Sequence, residues 1–280
     1  MHRRRLVAVL ILLWLAGLGA WSFWWEPSSL RVSEYTLPLQ HWPAQNAGLR
    51  IAIITDIHAG APYIDRDKLA RIVSLTNAAH PDLIVLLGDY VIHDVLGGHF
   101  IPPEETAKIL GGLHAPLGVY GVLGNHDFAL DWVRIGAAFN AADIHFIDDA
   151  LAPIRAGRYR FTLMGVTSSG PGLPVAKRLL QDVSDDEPVI AITHIPDYFP
   201  MLPARINLVL AGHSHGGQVR LPLIGAPVTG SMYGQRYLRG HVLEHTDLFV
   251  STGIGTSILP VRFGVPPEIS IVTLLPATTP

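Results

Sequence analysis

The 280-residue chain contains no cysteine. That absence removes disulfide frameworks, thiolate metal sites and cysteine nucleophiles together, and leaves any metal to nitrogen and oxygen donors. Charge is scarce and balanced: 15% of residues are charged, 20 basic against 23 acidic, for a formal net charge of −3. Without a basic excess there is no electrostatic footprint for nucleic acid. The 27 glycines and 22 prolines follow no period and form no low-complexity tract, so collagen-like readings are out. What remains is 49% hydrophobic, holds 14 histidines and is long enough for one large domain or two small ones.

Residues 6–25, LVAVLILLWLAGLGAWSFWW, carry no charge. As a helix they span roughly 30 Å, the thickness of a hydrocarbon core. Arg3, Arg4 and Arg5 precede the run, and Trp21, Trp24 and Trp25 crowd its far end. Arginines at that flank favour the cytoplasmic side for the N-terminus, and tryptophans suit the opposite interface. Residues 1–25 therefore read as a basic flank and a single-pass anchor in the cell (inner) membrane, with the remaining chain outside the cytoplasm. A cleaved signal peptide with Gly17 and Gly19 at its small-x-small site is the competing reading. Residues 26–48 read as a linker, broken by Pro27, Pro38 and Pro43, with one edge strand around Leu30–Leu37.

From residue 49 to 275 short apolar runs alternate with amphipathic stretches. RIAIIT (50–55), DLIVLL (82–87), VYGVL (119–123), PVIAIT (188–193) and INLVLA (206–211) have the continuous apolar character of strands buried on both faces. Between the first two, Leu69, Ile72, Val73 and Thr76 form one helical stripe, with Asp65 placed as its N-cap. Strand, helix and strand at this spacing make a right-handed βαβ unit. Helices are also predicted near 103–112, 129–140 and 173–182, and strands at 158–165, 247–251 and 268–274. One α/β domain over 49–275, with a short tail at 276–280, is the simplest organisation.

The chemistry-bearing residues follow those strands directly. Asp56 and His58 come after the first, Gly88-Asp89 after the second, and Gly124-Asn125-His126-Asp127 after the third. His194 follows the fourth, and Gly212-His213-Ser214-His215 the fifth. Ligands of α/β sheets bind beyond the carboxyl ends of the strands, so these five groups should converge there. Taken singly, each has an ordinary explanation as a turn or a core histidine. Together Asp56, His58, Asp89, Asn125, His194, His213 and His215 offer two carboxylates, four imidazoles and an amide oxygen. That set suits two borderline divalent ions rather than calcium, with one carboxylate shared between them.

The ordered blocks D-x-H, G-D, G-N-H-D, H and G-H-x-H resemble the calcineurin-like metallophosphoesterase family over about residues 49–275. GHSHGGQ, STGIGTS (251–257) and RFGVPPEISIVTL (262–274) are similar to its membrane-anchored bacterial branch. The resemblance implies a four-layer αββα sandwich of two mixed sheets flanked by helices, preceded here by the transmembrane helix. It implies one metal on Asp56, His58, Asp89 and His215, and a second on Asp89, Asn125, His194 and His213, with Asp89 as the bridge. His126 would then face the scissile phosphate and Asp127 would orient it. The family often has an acid soon after G-D; in GDYVIHD the next one is Asp94.

Such a centre hydrolyses a phosphodiester or pyrophosphate bond by attack of a metal-bridging hydroxide, with manganese, iron and zinc all compatible with the donors. His126 is the candidate proton donor to the leaving group. Arg236, Arg239 and Arg262 are candidate phosphate contacts. An anchored enzyme meets lipid-linked or membrane-proximal substrates, and some relatives cleave UDP-2,3-diacylglucosamine in lipid A synthesis. The arginine flank argues instead for a generic extracytoplasmic phosphodiesterase or phosphomonoesterase. Two remoter readings stand beside these. GHSHG also satisfies the G-x-S-x-G nucleophile elbow, with Ser214 as a serine-hydrolase nucleophile. The chain could also be a non-catalytic, membrane-tethered interaction module.

Overall fold

The structure is a computed structural model and describes residues 2–168 and 172–277. Its first helix, α1 (His2–Ala20), continues through a wider turn at Trp21–Trp25 into a last turn, α2 (Glu26–Ser28). The resulting rod of 27 residues is long and apolar enough to cross a membrane, and no side chain of α1 is buried. An apolar helix with no protein against it has the character of a membrane anchor.

The first half of the domain contains β1 (Arg31–Leu39), β2 (Leu49–Ile54), α3 (Arg66–Ala78), β3 (Leu83–Leu86), α4 (Pro103–Leu110) and β4 (Val119–Gly121). It closes with α5 (Asn125–Ala129), α6 (Trp132–Asn140) and β5 (His145–Phe146). The second half contains β6 (Leu151–Ala156), β7 (Tyr159–Val166), α7 (Gly172–Leu179), β8 (Val189–Thr193) and β9 (Leu208–Ala211). Strands β10 (Gly240–Leu243), β11 (Asp247–Val250) and β12 (Glu268–Pro276) complete it.

These strands form two six-stranded mixed sheets, ordered β1-β12-β2-β3-β4-β5 and β10-β11-β9-β8-β7-β6. Strands β2 to β5 run parallel, as do β7, β8, β9 and β11, while β12 is antiparallel to β2. The sheets pack face to face through Ile51, Ile53, Val85, Leu163, Ile192 and Leu210. The other side of the first sheet buries Ala52, Ile54 and Leu86 against Leu69, Ile72 and Phe139 of the helices. Met164, Ala191 and Val209 do the same for the second sheet against Ala176 and Phe199. Alternate residues of β2 thus serve two cores, which is why its sequence is apolar without a break from Ile51 to Ile54. This is the four-layer αββα arrangement.

Helix α3 starts where Asp65 accepts Lys68 N–H at 2.8 Å, an N-cap worth about 1 kcal/mol. Residues 26–48 carry β1, which lies in register beside β12 from Arg31–Glu268 to Leu39–Pro276. The tail at 276–280 falls partly outside the described residues.

Candidate metal centre

The loops leaving β2, β3, β4, β8 and β9 meet at one edge of the sheets. Their backbones are unusual: Asp56, His58, Asp89, His213 and His215 have φ of 53°, 47°, 57°, 69° and 49°. Left-handed conformations at non-glycine residues cost of order 1–3 kcal/mol each and persist where surrounding structure enforces them. Close approach explains the flanking glycines. Gly88 has φ +95°, and a Cβ there would stand 2.5 Å from Gly124 N. A Cβ at Gly212 would collide with Thr55 Oγ1.

Two groups of donors result, Asp56 with His58 and His215, and Asp89 with His194 and His213, each with ligand atoms within 4.8 Å of one another. In the first, His58 Nε2 and His215 Nε2 are 3.3 Å apart, and His215 Nε2 is 3.4 Å from Asp56 Oδ1. In the second, His194 Nε2 lies 3.2 Å from both His213 Nδ1 and Asp89 Oδ2. That same Asp89 oxygen is 3.7 Å from His58 Nε2, so it stands between the groups. Asn125 opens α5 one residue after Gly124, which packs against Asp89.

The donor set fits divalent cations. Among the described residues, Asp56 Oδ1 and Asn125 Oδ1 are buried acceptors without a hydrogen-bond donor, and His58 Nδ1 has no partner either. Orphaned buried acceptors are costly, and here they cluster with imidazoles. Burial lowers His58 and His213 to about 4 and holds His215 well below the usual imidazole range, which keeps these imidazoles neutral and able to ligate. Burial also raises Asp56 to about 6. Burial opposes ionisation of Asp89 too, but His194, His58 and His126 hold it well below the usual carboxylate range. His194 moves up to about 9, because Asp89 and Asp56 outweigh its burial. Its Nδ1 donates to Leu87 O at 2.6 Å, leaving Nε2 turned toward Asp89.

The residues behind these donors depart from expectation at Asp127, Arg262 and Arg236. Asp127 does not orient His126. Its Oδ2 accepts from Asp89 N at 2.8 Å and Gly124 N at 2.9 Å, and its Oδ1 from Tyr90 N at 3.0 Å. It thereby ties the G-D and G-N-H-D loops together, and His126 Nδ1 is left buried without a partner among the described residues. Arg262 is fully buried with its guanidinium spent on backbone carbonyls, so it is not a phosphate contact. Arg236 pairs with Glu244 at 2.8 Å. Asp94 has an 85% exposed side chain and faces His93 Nδ1 at 3.5 Å rather than the donors.

Ser214 Oγ donates to Leu238 O at 2.6 Å, and a short turn rather than a helix follows it. That geometry removes the nucleophile-elbow reading. Three contributors went unnoticed in the sequence. Thr55 Oγ1 donates to Asp56 Oδ2 at 2.9 Å, Tyr90 OH links Leu86 O and Val122 O, and the His93 ring stands 5.2 Å from that of His126. Thr55 and Tyr90 directly adjoin the motif blocks and His93 lies four residues past Asp89, which is the signal the sequence held.

Asp89, His126, His213 and His215 line a cavity of about 430 Å³ whose remaining wall is largely apolar. Residues 49–217 match the family described as calcineurin-like phosphoesterase, and the chain belongs to that family. It is a metal-dependent phosphoesterase, consistent with the two donor groups. It is 28% identical over 253 residues to an uncharacterized metallophosphoesterase, YkuE, of Bacillus subtilis, covering 89% of this chain and 87% of that one. It is 25% identical to the phosphodiesterase YaeI of Escherichia coli, over 82% and 83% of the two chains. It is also 25% identical to the UDP-2,3-diacylglucosamine pyrophosphatase LpxG of Chlamydia trachomatis, over 96% and 95%. Longer animal relatives exist, and this chain spans 57% of the one from Danio rerio.

Proposed function

We propose that the chain hydrolyses a phosphodiester or pyrophosphate bond at a dinuclear divalent centre, with Asp56, His58, Asp89 and His215 holding one ion. Asp89, Asn125, His194 and His213 hold the other. The observation that carries this reading is the position of Asp89 Oδ2, 3.2 Å from His194 Nε2 and 3.7 Å from His58 Nε2, at the junction of the two donor groups. Bound ions supply Lewis acidity at the phosphoryl oxygens and lower the pKa of the attacking water. The chain's own residues do the rest. Asp89 and Asp56 offer the negative charge that retains the ions, and His58, His213 and His215 stay neutral as ligands. His126 lines the cavity with Nε2 3.9 Å from Asp89 Oδ2. With its Nδ1 buried, Nε2 is the nitrogen that passes a proton to the leaving oxygen. Asp127 acts as a positioning residue through the backbone of Asp89 and Gly124.

The substrate is lipid-linked or membrane-proximal, with UDP-2,3-diacylglucosamine the leading specific candidate. The anchor helix, the apolar cavity wall and the likeness to LpxG support it. A second reading, a generic extracytoplasmic phosphodiesterase or phosphomonoesterase in the cell membrane, is favoured by Arg3, Arg4 and Arg5 ahead of the apolar run. The test strips the purified chain of metal and follows bis-p-nitrophenyl phosphate with manganese, zinc or no addition. Metal-restored hydrolysis that disappears in Asp89→Ala, and falls strongly in His126→Ala, is the expected result. A folded protein that takes up no metal overturns the proposal. Hydrolysis of UDP-2,3-diacylglucosamine by the active protein then decides between the two substrate readings.

A further inference from the structure

The end of the anchor helix is clamped to the domain. Ser22 O accepts from Arg262 N at 2.9 Å, and Phe23 O from the Tyr63 hydroxyl at 2.7 Å. Glu26 is buried, its Oε1 accepting from Val265 N at 2.6 Å and its Oε2 from Trp21 Nε1 at 2.6 Å. Lys68 Nζ donates to the carbonyls of Ser28 and Ser29. These contacts begin inside the apolar run rather than after it. Ser22 precedes Trp25 by three residues, about 4.5 Å of helix axis. Tryptophans favour the bilayer surface, so a membrane-spanning helix that ends at exposed Trp24 and Trp25 would hold the 262–266 loop at headgroup depth.

That loop continues into the rim of the cavity. Arg220 N donates to Phe263 O at 2.7 Å, and Phe263 N to Gln218 O at 2.9 Å. Leu221 and Gly225 then close a tight turn that presents Leu223, fully exposed, and Ile224. Gln218 Nε2 donates to Ser257 O at 3.1 Å, and the carbonyl of the next residue, Ile258, accepts from Leu96 N at 2.9 Å. The side chains of Ile258 and Leu96 are 69% and 67% exposed. Val228 (74% exposed), Ile258 and Leu259 are at once exposed and part of the cavity wall. A soluble surface rarely leaves so many large apolar side chains uncovered in hydrogen-bonded neighbouring loops.

We propose that these loops, residues 222–232 and 257–261 with Leu96, dock into the interfacial layer of the membrane that the anchor spans. The cavity then opens onto lipid and takes a phosphoester bearing a hydrocarbon chain. The proposal rests on reading residues 6–25 as an anchor and the cavity as the phosphoester site. Because the chain has no cysteine, single cysteines label uniquely.

Full-length Leu223→Cys and Ile258→Cys carry an environment-sensitive fluorophore in phosphatidylcholine–phosphatidylglycerol vesicles containing doxyl-labelled lipid. Arg158→Cys, in the hairpin at the opposite strand edge, is the control. Quenching at positions 223 and 258 and none at 158 is expected. Water-like emission without quenching at 223 and 258 overturns docking, as does energy transfer between copies in its place. A Leu223→Asp, Ile224→Asp double variant should turn over vesicle-borne hexadecyl p-nitrophenyl phosphate about tenfold more slowly and leave soluble bis-p-nitrophenyl phosphate unchanged. Equal turnover of both substrates by the variant and the parent overturns the lipid-facing mouth. Failure of the underlying readings looks different. Loss of bis-p-nitrophenyl phosphate hydrolysis in the parent removes the phosphoesterase reading while quenching still reports docking. Release of the parent from vesicles by alkaline carbonate removes the anchor and the docking with it.

Discussion

Arg262 offers the sharpest test of how the centre is held. Its Nε donates to Gly255 O at 3.0 Å and Nη1 to Val265 O at 2.9 Å. Its Nη2 reaches Thr252 O at 3.0 Å, Gly253 O at 3.2 Å and Gly255 O at 2.6 Å, and lies 3.5 Å from His215 Nδ1. Burial lowers its pKa to about 10, with Asp56, Glu26 and Glu268 restraining the fall, so it remains charged at neutral pH. In Arg262→Met, Gly253 O keeps the bond from Glu268 N, but the carbonyls of Thr252, Gly255 and Val265 lose the guanidinium. At about 1–3 kcal/mol for each of three buried carbonyls left short, the change costs about 3–9 kcal/mol. At about 2 °C per kcal/mol for a chain of this size, that is a fall of about 6–18 °C in melting temperature. Arg262→Lys keeps the charge but not the fork, and should fall about half as far. Calorimetry of both variants, beside KM for bis-p-nitrophenyl phosphate, separates the two roles. An unchanged melting temperature with a KM raised about tenfold would make Arg262 a phosphate contact and refute the structural argument.

Removing metal should destabilise the protein, because both donor groups bury carboxylates that a cation satisfies. With free metal at a hundred times Kd, each occupied site adds about 2.7 kcal/mol, a rise of roughly 5–10 °C that a chelator titration in a thermal melt will read. Ser214→Ala should lose about 1–2 kcal/mol with its bond to Leu238 O and keep turnover within about threefold. Near-total loss of turnover with the metal retained would restore the serine nucleophile. Asp127→Ala leaves the N–H groups of Asp89, Tyr90 and Gly124 without their acceptor, so metal content should drop at both sites. Full metal content with only a displaced pH–rate profile would return Asp127 to the role of orienting His126.

The fold was legible wherever one strand serves two cores. β3, β8 and β9 are buried along their whole length, as is β2 from Ile51 onward, and each of these stretches reads as an apolar run. The strands that escaped notice, β5, β6 and β10, are short or half exposed. β6 sits at the edge of its sheet and carries Pro153, so its apolar content is too thin to register. Their partners pin them instead, as β7 does for β6 from Leu151–Met164 to Ala156–Tyr159. A contact of that kind leaves no periodic mark on the segment itself.

The donor groups were legible for a different reason. Metal chemistry restricts residue type, so Asp56, His58, Asp89, His194, His213 and His215 announce themselves once their strands are placed. The residues that hold them obey no such restriction. Asp127 and Arg262 are polar side chains whose partners are backbone groups, and a backbone group has no identity in the sequence. Chemical type therefore misled: a carboxylate next to His126 was read as its partner, and an arginine near the site as a phosphate ligand. Geometry assigns both to the loops, Asp127 to those after β3 and β4, and Arg262 to the 252–255 and 265 carbonyls. The left-handed backbone at five of the seven candidate ligands needs such support. Each of those residues stores strain that releases if its loop is freed. Donors reveal which reaction a site can run, but the buried polar residues that brace their backbones decide whether the site exists.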